Sequence, residues 1–168
     1  MSREAFSQLI AGYAKKLGLN EIPIQDDFRV CLTFEPEINL DIQWNDQDTK
    51  LYLYSPCTKL ITTSNAELAF ELLSAIHFWK DTAGATLSLE SETNTIYLCD
   101  KNTLETFTSI GHFSDHVDVF LDTVLYWRDR IRELNQFSKR NKPSSPKEKN
   151  ATEQDRFFKK LRTQDVRA

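Results

Sequence analysis

Between Phe28 and Tyr54 one pattern is written three times. Phe28, Val30, Leu32 and Phe34 alternate with Arg29, Cys31 and Thr33. Ile38, Leu40, Ile42 and Trp44 alternate with Asn39, Asp41 and Gln43, and Lys50-Leu51-Tyr52-Leu53-Tyr54 follows. A period of two is the signature of strands with one apolar face. The connectors Glu35-Pro36-Glu37 and Asn45-Asp46-Gln47-Asp48 are far too short for a crossover helix. Three consecutive strands joined this way must run antiparallel, as a meander. Pro56 is expected to end the third strand.

The segments around the meander have helical spacing. Phe6, Leu9, Ile10, Tyr13, Ala14 and Leu17 form an amphipathic stripe, with Lys15 and Lys16 near its end and Gly18 just past it. A second helix begins after Ser64 or Asn65, either of which is a suitable N-cap, and carries Leu68, Leu72, Leu73, Ile76 and Trp79. Ala83-Gly84-Ala85 then separates it from two further strands, Thr86 to Leu89 and Thr95 to Cys99. A last helix runs from near Phe113 or Ser114 to about Phe137, with Arg128, Arg130 and Arg132 in its final turns, where cations suit the helix dipole. The order α-β-β-β-α-β-β-α, with strands grouped apart from helices, gives an α+β class with an antiparallel twisted sheet and three helices.

Two compositional regimes divide the chain of 168 residues. Positions 138–168 hold ten Lys or Arg and four Asp or Glu, +6, and leave 11 basic and 21 acidic residues on 1–137, −10. The first part, 1–137, reads as one domain, since 40% hydrophobic residues suffice for a core. The second, 138–168, reads as a basic flexible tail, with a short helix expected over 152–162, where Thr152 and Asp155 precede Phe157, Phe158 and Leu161. An acidic body repels nucleic acid and membrane surfaces, so its partners are expected to be proteins. No stretch approaches the ~20 apolar residues of a membrane span, and the N-terminus lacks an export pattern. Cys31, Cys57 and Cys99 are odd in number and widely spaced, as in a reducing cytosol.

Chemistry finds little support. Around Gly84 the helix precedes the glycine, and the second glycine and Lys-Ser/Thr of a phosphate loop are missing, so Ala83-Gly84-Ala85 is read as a joint, with Ala83 in ordinary helix-end geometry. His112 and His116 are four apart, near Asp115, a spacing that suits a metal. They lack the Glu of the zinc-protease motif and identifiable third and fourth ligands, and are read as surface residues of a helix's first turn. No Gly-x-Ser-x-Gly nucleophile occurs, and scattered carboxylates nominate no acid–base pair. No enzyme, metal or cofactor is expected.

The apolar content of these strands and helices exceeds what one copy easily hides, so part of it is expected in a homodimer contact and part in a binding groove. The residues also resemble a known family. The N-terminal amphipathic helix, Leu51-Tyr52-Leu53-Tyr54-Ser55-Pro56, Leu72-Leu73-Ser74-Ala75-Ile76-His77-Phe78, Thr82-Ala83-Gly84-Ala85-Thr86-Leu87-Ser88-Leu89 and Tyr126-Trp127-Arg128 are similar, in this order, to class I type III secretion chaperones, the Tir chaperone and its relatives. The likeness spans roughly residues 3 to 135. It departs at Ala83, where the family usually has a second glycine, and at Ile76, where Asn is frequent.

The resemblance implies a non-enzymatic homodimer in the bacterial cytoplasm that binds N-terminal segments of secreted effectors, keeps them competent for secretion and is brought to the secretion ATPase. It implies partner contacts from the first helix and first three strands, with Tyr13, Val30, Leu32, Phe34, Leu40, Ile42 and Trp44 as candidates. It places dimer contacts on Leu72, Ile76, Trp79, Leu87 and Leu89. The competing expectation is a dimeric regulatory adaptor whose basic tail binds nucleic acid or a secretion component.

Overall fold

A computed structural model describes residues 3–34, 37–60 and 66–140, with side chains to 135. The helices are α1 (Arg3–Lys16), α2 (Ala66–Ala75) and α3 (Ile110–Arg140). The strands are β1 (Arg29–Phe34), β2 (Ile38–Asn45), β3 (Lys50–Lys59), β4 (Thr86–Glu90) and β5 (Thr95–Asn102). This is the expected α+β order. The chain divides into two units, Met1–Gln136 and Phe137–Ala168; the sheet, α1, α2 and α3 as far as Gln136 belong to the first. The N-cap of α2 and the short helix expected over 152–162 lie outside the described residues.

The five strands form one antiparallel sheet in the order β1-β2-β3-β5-β4. The meander is as read from the connectors, with Val30 opposite Ile42 and Ile42 opposite Leu53. The later hairpin docks through β5, which leaves β4 and β1 as edges. Pro56 does not end β3, which continues to Lys59 beside β5 with a register shift between Pro56 and Thr58. The β2–β3 ladder stops at the Asp41–Tyr54 pair, two residues short of Pro56, so the missing amide takes no bond from β2.

One face of the sheet carries Val30, Leu40, Ile42, Leu51, Leu53, Ile96 and Leu98, all fully buried with Phe6, Ile10 and Tyr13 of α1 and Phe113, Val117, Val124 and Trp127 of α3. Tyr13 and Phe113 meet edge to face, centroids 5.1 Å apart, so the two helices share one layer. Burial, helped by the Asp118 charge, pushes the Tyr13 phenol up to about 12. α2 is tied to α3 by Arg130, whose Nε and Nη2 both donate to Glu71 Oε1, at 2.9 and 2.7 Å.

α2 is shorter than its apolar spacing suggests. It stops at Ala75, and a 3₁₀ turn follows in which Phe78 and Trp79 have φ of 55° and 52°, so Trp79 leaves the helical stripe. Ala83 also has positive φ, 51°, next to Gly84 at 92°. The joint is as expected, but Ala83 is not in ordinary helix-end geometry. The left-handed region costs any residue with a Cβ about 1–2 kcal/mol.

Candidate interaction surfaces

An apolar groove of about 300 Å³ runs between α2 and the β4–β5 hairpin, lined by Ala69, Leu72, Leu73, Ile76, Leu87, Ser88, Leu89 and Ile96. Four of the five expected dimer positions converge here. Leu87 lies on its floor, Leu72 and Ile76 are half-buried, and Leu89 is exposed at the rim. Trp79 does not line the groove but is exposed beyond it. Phe70 and Phe78, outside the expected contacts, are 73% and 83% exposed, and Leu73 is 67% exposed. Phe70 sits two residues from Leu68, off the stripe that faces the core; that apolar pair on opposite helix faces is the signal in the sequence.

The seven expected partner contacts fare differently. Tyr13, Val30, Leu40, Ile42 and Trp44 are at most 3% exposed, within the core formed with α1 and α3. Leu32 and Phe34 share that face but are half-buried, because β1 is an edge strand. Alternation identifies the residues of one face; it does not say whether helices or another chain cover that face.

The opposite sheet face holds a second, polar depression of about 610 Å³, reached by all five strands and lined by residues including Arg29, Asp41, Tyr54, Tyr97 and Cys99. Arg29 Nη2 donates to Gln25 Oε1 at 2.9 Å, and the Cys31 thiol donates to Asp41 Oδ1 at 2.7 Å. The Asp41 carboxylate, with partial burial and its charge, raises the Cys31 thiol above its ordinary range. Ser88 and Leu89 of the edge strand β4 line both depressions, one on each face of the sheet.

The histidines are not both surface residues. His116 Nε2 donates to Asp100 Oδ2 at 2.6 Å, and Asn102 Nδ2 donates to the same oxygen at 2.7 Å. Burial alone would raise the Asp100 carboxyl, but the bond and charge of His116 and the Asn102 bond outweigh it and hold the group below its ordinary value. His112 remains exposed, beside Thr108. Among the described residues no cluster of three His, Cys, Asp or Glu suits a metal ion. No helix among them is long and apolar enough to cross a membrane.

The sequence profile of the Tir chaperone protein (CesT) family matches residues 8–128. The chain belongs to the CesT family. Membership makes it a type III secretion chaperone, as the resemblance implied. The solved ExsC–ExsE complex contains a chain of similar fold, with TM-score 0.67 and 15% identity over 77% of this chain and 96% of that one. A chain of the HopA1–SchA chaperone–effector complex gives TM-score 0.62 at 13% identity, covering 77% of this chain and 98% of that one. The Yersinia pestis type III secretion chaperone SycH, solved with a fragment of YscM2, belongs to a structure that gives 0.58 and 16%, covering 73% and 98%. No curated protein matches this chain in sequence. At these identities the fold is what is shared, and the family profile carries the class.

Proposed function

We propose that this CesT-family chaperone acts in the bacterial cytoplasm as a homodimer that holds an extended N-terminal segment of a secreted effector and presents it to the secretion ATPase. The observation that carries the reading is the apolar α2–β4 groove, with exposed Leu73 and Leu89 in its lining and exposed Phe70, Phe78 and Trp79 on α2 and the turn that follows it. An open apolar groove with this many exposed apolar side chains on the elements that build it calls for a protein partner. A second copy laid on the same groove gives a two-fold contact, which for a stable dimer buries about 1,600 Å² in total.

The client's place follows from the edges. With the β4 side given to the second copy, β1 is the remaining edge; the Arg29 carbonyl accepts from the Gln25 amide at 2.8 Å, and half-buried Leu32 and Phe34 stand further along the strand. An extended client adds hydrogen bonds along such an edge and seats alternate apolar side chains in the neighbouring pockets. The client contacts are therefore assigned to Leu32 and Phe34, and the dimer contacts to Leu72, Ile76, Trp79, Leu87 and Leu89. Among structures of the same fold, the HopA1–SchA complex is described as a chaperone with its effector.

The test has two parts. Light scattering at micromolar concentration should give twice the chain mass, falling to one for Leu73→Asp with Leu89→Asp. A strictly monomeric wild-type protein overturns the dimer. Affinity capture from the native cytosol, followed by proteolysis of the bound fraction, should leave short N-terminal segments of large proteins protected. Protection of interior segments, or none, overturns the client reading.

A further inference from the structure

A separate groove of about 550 Å³ lies between the exposed side of α3 and the turn after α2, lined by Lys80, Asp81, Ala83, Val119, Asp122, Thr123 and Tyr126. The turn is fixed against the helix, since Trp127 Nε1 donates to the Asp81 carbonyl at 3.0 Å. Val119 and Tyr126 are each more than half exposed. They stand seven residues apart on one stripe of α3, with Asp122 and Thr123 between them, so their anchoring points lie about 10 Å apart along the helix axis. That is the spacing at which a second helix presents its own apolar side chains at i and i+7.

The charge around this groove has one predominant sign. Asp81 and Asp122 line it, against Lys80 alone, and Asp118 and Asp129 flank it on the exposed side of α3. Asp115 is engaged by Lys16 at 3.8 Å and Asp129 by Arg132 at 3.4 Å, whereas Asp122 has no ion-pair partner among the described residues. The body as a whole carries −10 over 1–137. We infer that this groove docks a basic amphipathic helix of another protein, two of whose apolar side chains seven residues apart cover Val119 and Tyr126 while its Lys or Arg side chains face Asp122 and Asp81. The groove shares no lining residue with the α2–β4 groove or with β1, so such a partner would be held together with a client rather than in its place.

The probe is a labelled 18-residue helical peptide with Lys on its polar face and two Leu seven apart, titrated into the full chain by fluorescence anisotropy. Two controls carry Glu in place of Lys, or Ser in place of Leu. The lysine peptide should bind and weaken about tenfold against Asp122→Lys and, separately, Val119→Ser, as for residues central to a small interface, while client capture is unchanged. Both controls should bind far more weakly. Equal binding to wild type and both variants overturns the site, and so does equal binding of the Ser control, which would leave only the general acidity of the body. A change of molecular mass in either variant would assign the groove to a second copy and also overturn the proposal. Circular dichroism of both variants, whose substituted side chains face solvent, checks the fold.

Discussion

Gly12 of α1 lies so close under Ile110 of α3 that a Cβ on Gly12 would stand 2.5 Å from Ile110 Cδ1 and 2.7 Å from Cγ1. Glycine in a helix normally costs about 1 kcal/mol relative to alanine, and here it permits the close approach of two helices. Gly12→Ala should therefore destabilise by about 1 kcal/mol net, because forcing Ile110 from its rotamer outweighs the helix gain. In an Ile110→Ala background the same change should stabilise by a similar amount. Urea melts of the four proteins measure the cycle, and additive effects would show that the contact yields freely.

Ala83, at φ of 51°, should prefer glycine. Removing its Cβ relieves the left-handed conformation, against a smaller loss from the more flexible unfolded chain, so Ala83→Gly should gain about 0.5–1 kcal/mol. Thermal melting would detect the rise of a few degrees; a fall would mean that the Cβ is held by contacts worth more than the strain.

Ser55 is fully buried on the core side of β3, and its Oγ has no hydrogen-bond partner among the described residues. Ser55→Ala removes a desolvated hydroxyl without a sizeable cavity and should stabilise by about 1 kcal/mol. Loss of stability on chemical denaturation would mean that the hydroxyl is satisfied in solution.

Asp100 should make stability depend on acid. Its folded-state value is held below the ordinary 3.8, chiefly by His116 and Asn102 acting against burial. Its contribution is present in full above 3.8 and is lost as pH falls through the lowered value. Asp100→Asn should cost about 1–2 kcal/mol at pH 7, the loss of a charge-assisted hydrogen bond, and progressively less below pH 3.8. A gap that is constant from pH 7 to pH 2.5 in urea melts would contradict this.

Cys31 is exposed, yet its thiol is raised first by the hydrogen bond it gives Asp41, then by partial burial and the Asp41 charge. Its thiolate fraction at pH 8 should be small and its alkylation by iodoacetamide slow. Asp41→Asn should speed that alkylation several-fold, since the thiolate is the nucleophile. Equal rates, resolved by peptide mass mapping, would remove the role assigned to the carboxylate.

Local periodicity determined the strand and helix order, because a period of two or near 3.6 is written in neighbouring residues. It paired β1, β2 and β3 because their connectors leave no other route. The family was legible too, in phrases from Leu51 to Tyr126. Only the tertiary structure decided that β5 lies beside β3, that Val30, Leu40 and Ile42 are buried in one core with α1 and α3, and that Phe78 does not face the core. It also decided the left-handed conformations at Phe78 and Ala83, and that His116 turns to Asp100, sixteen residues back. Each of these depends on which distant segment covers a given face. The alternation of apolar residues specifies that a face must be covered, and long-range packing specifies by what.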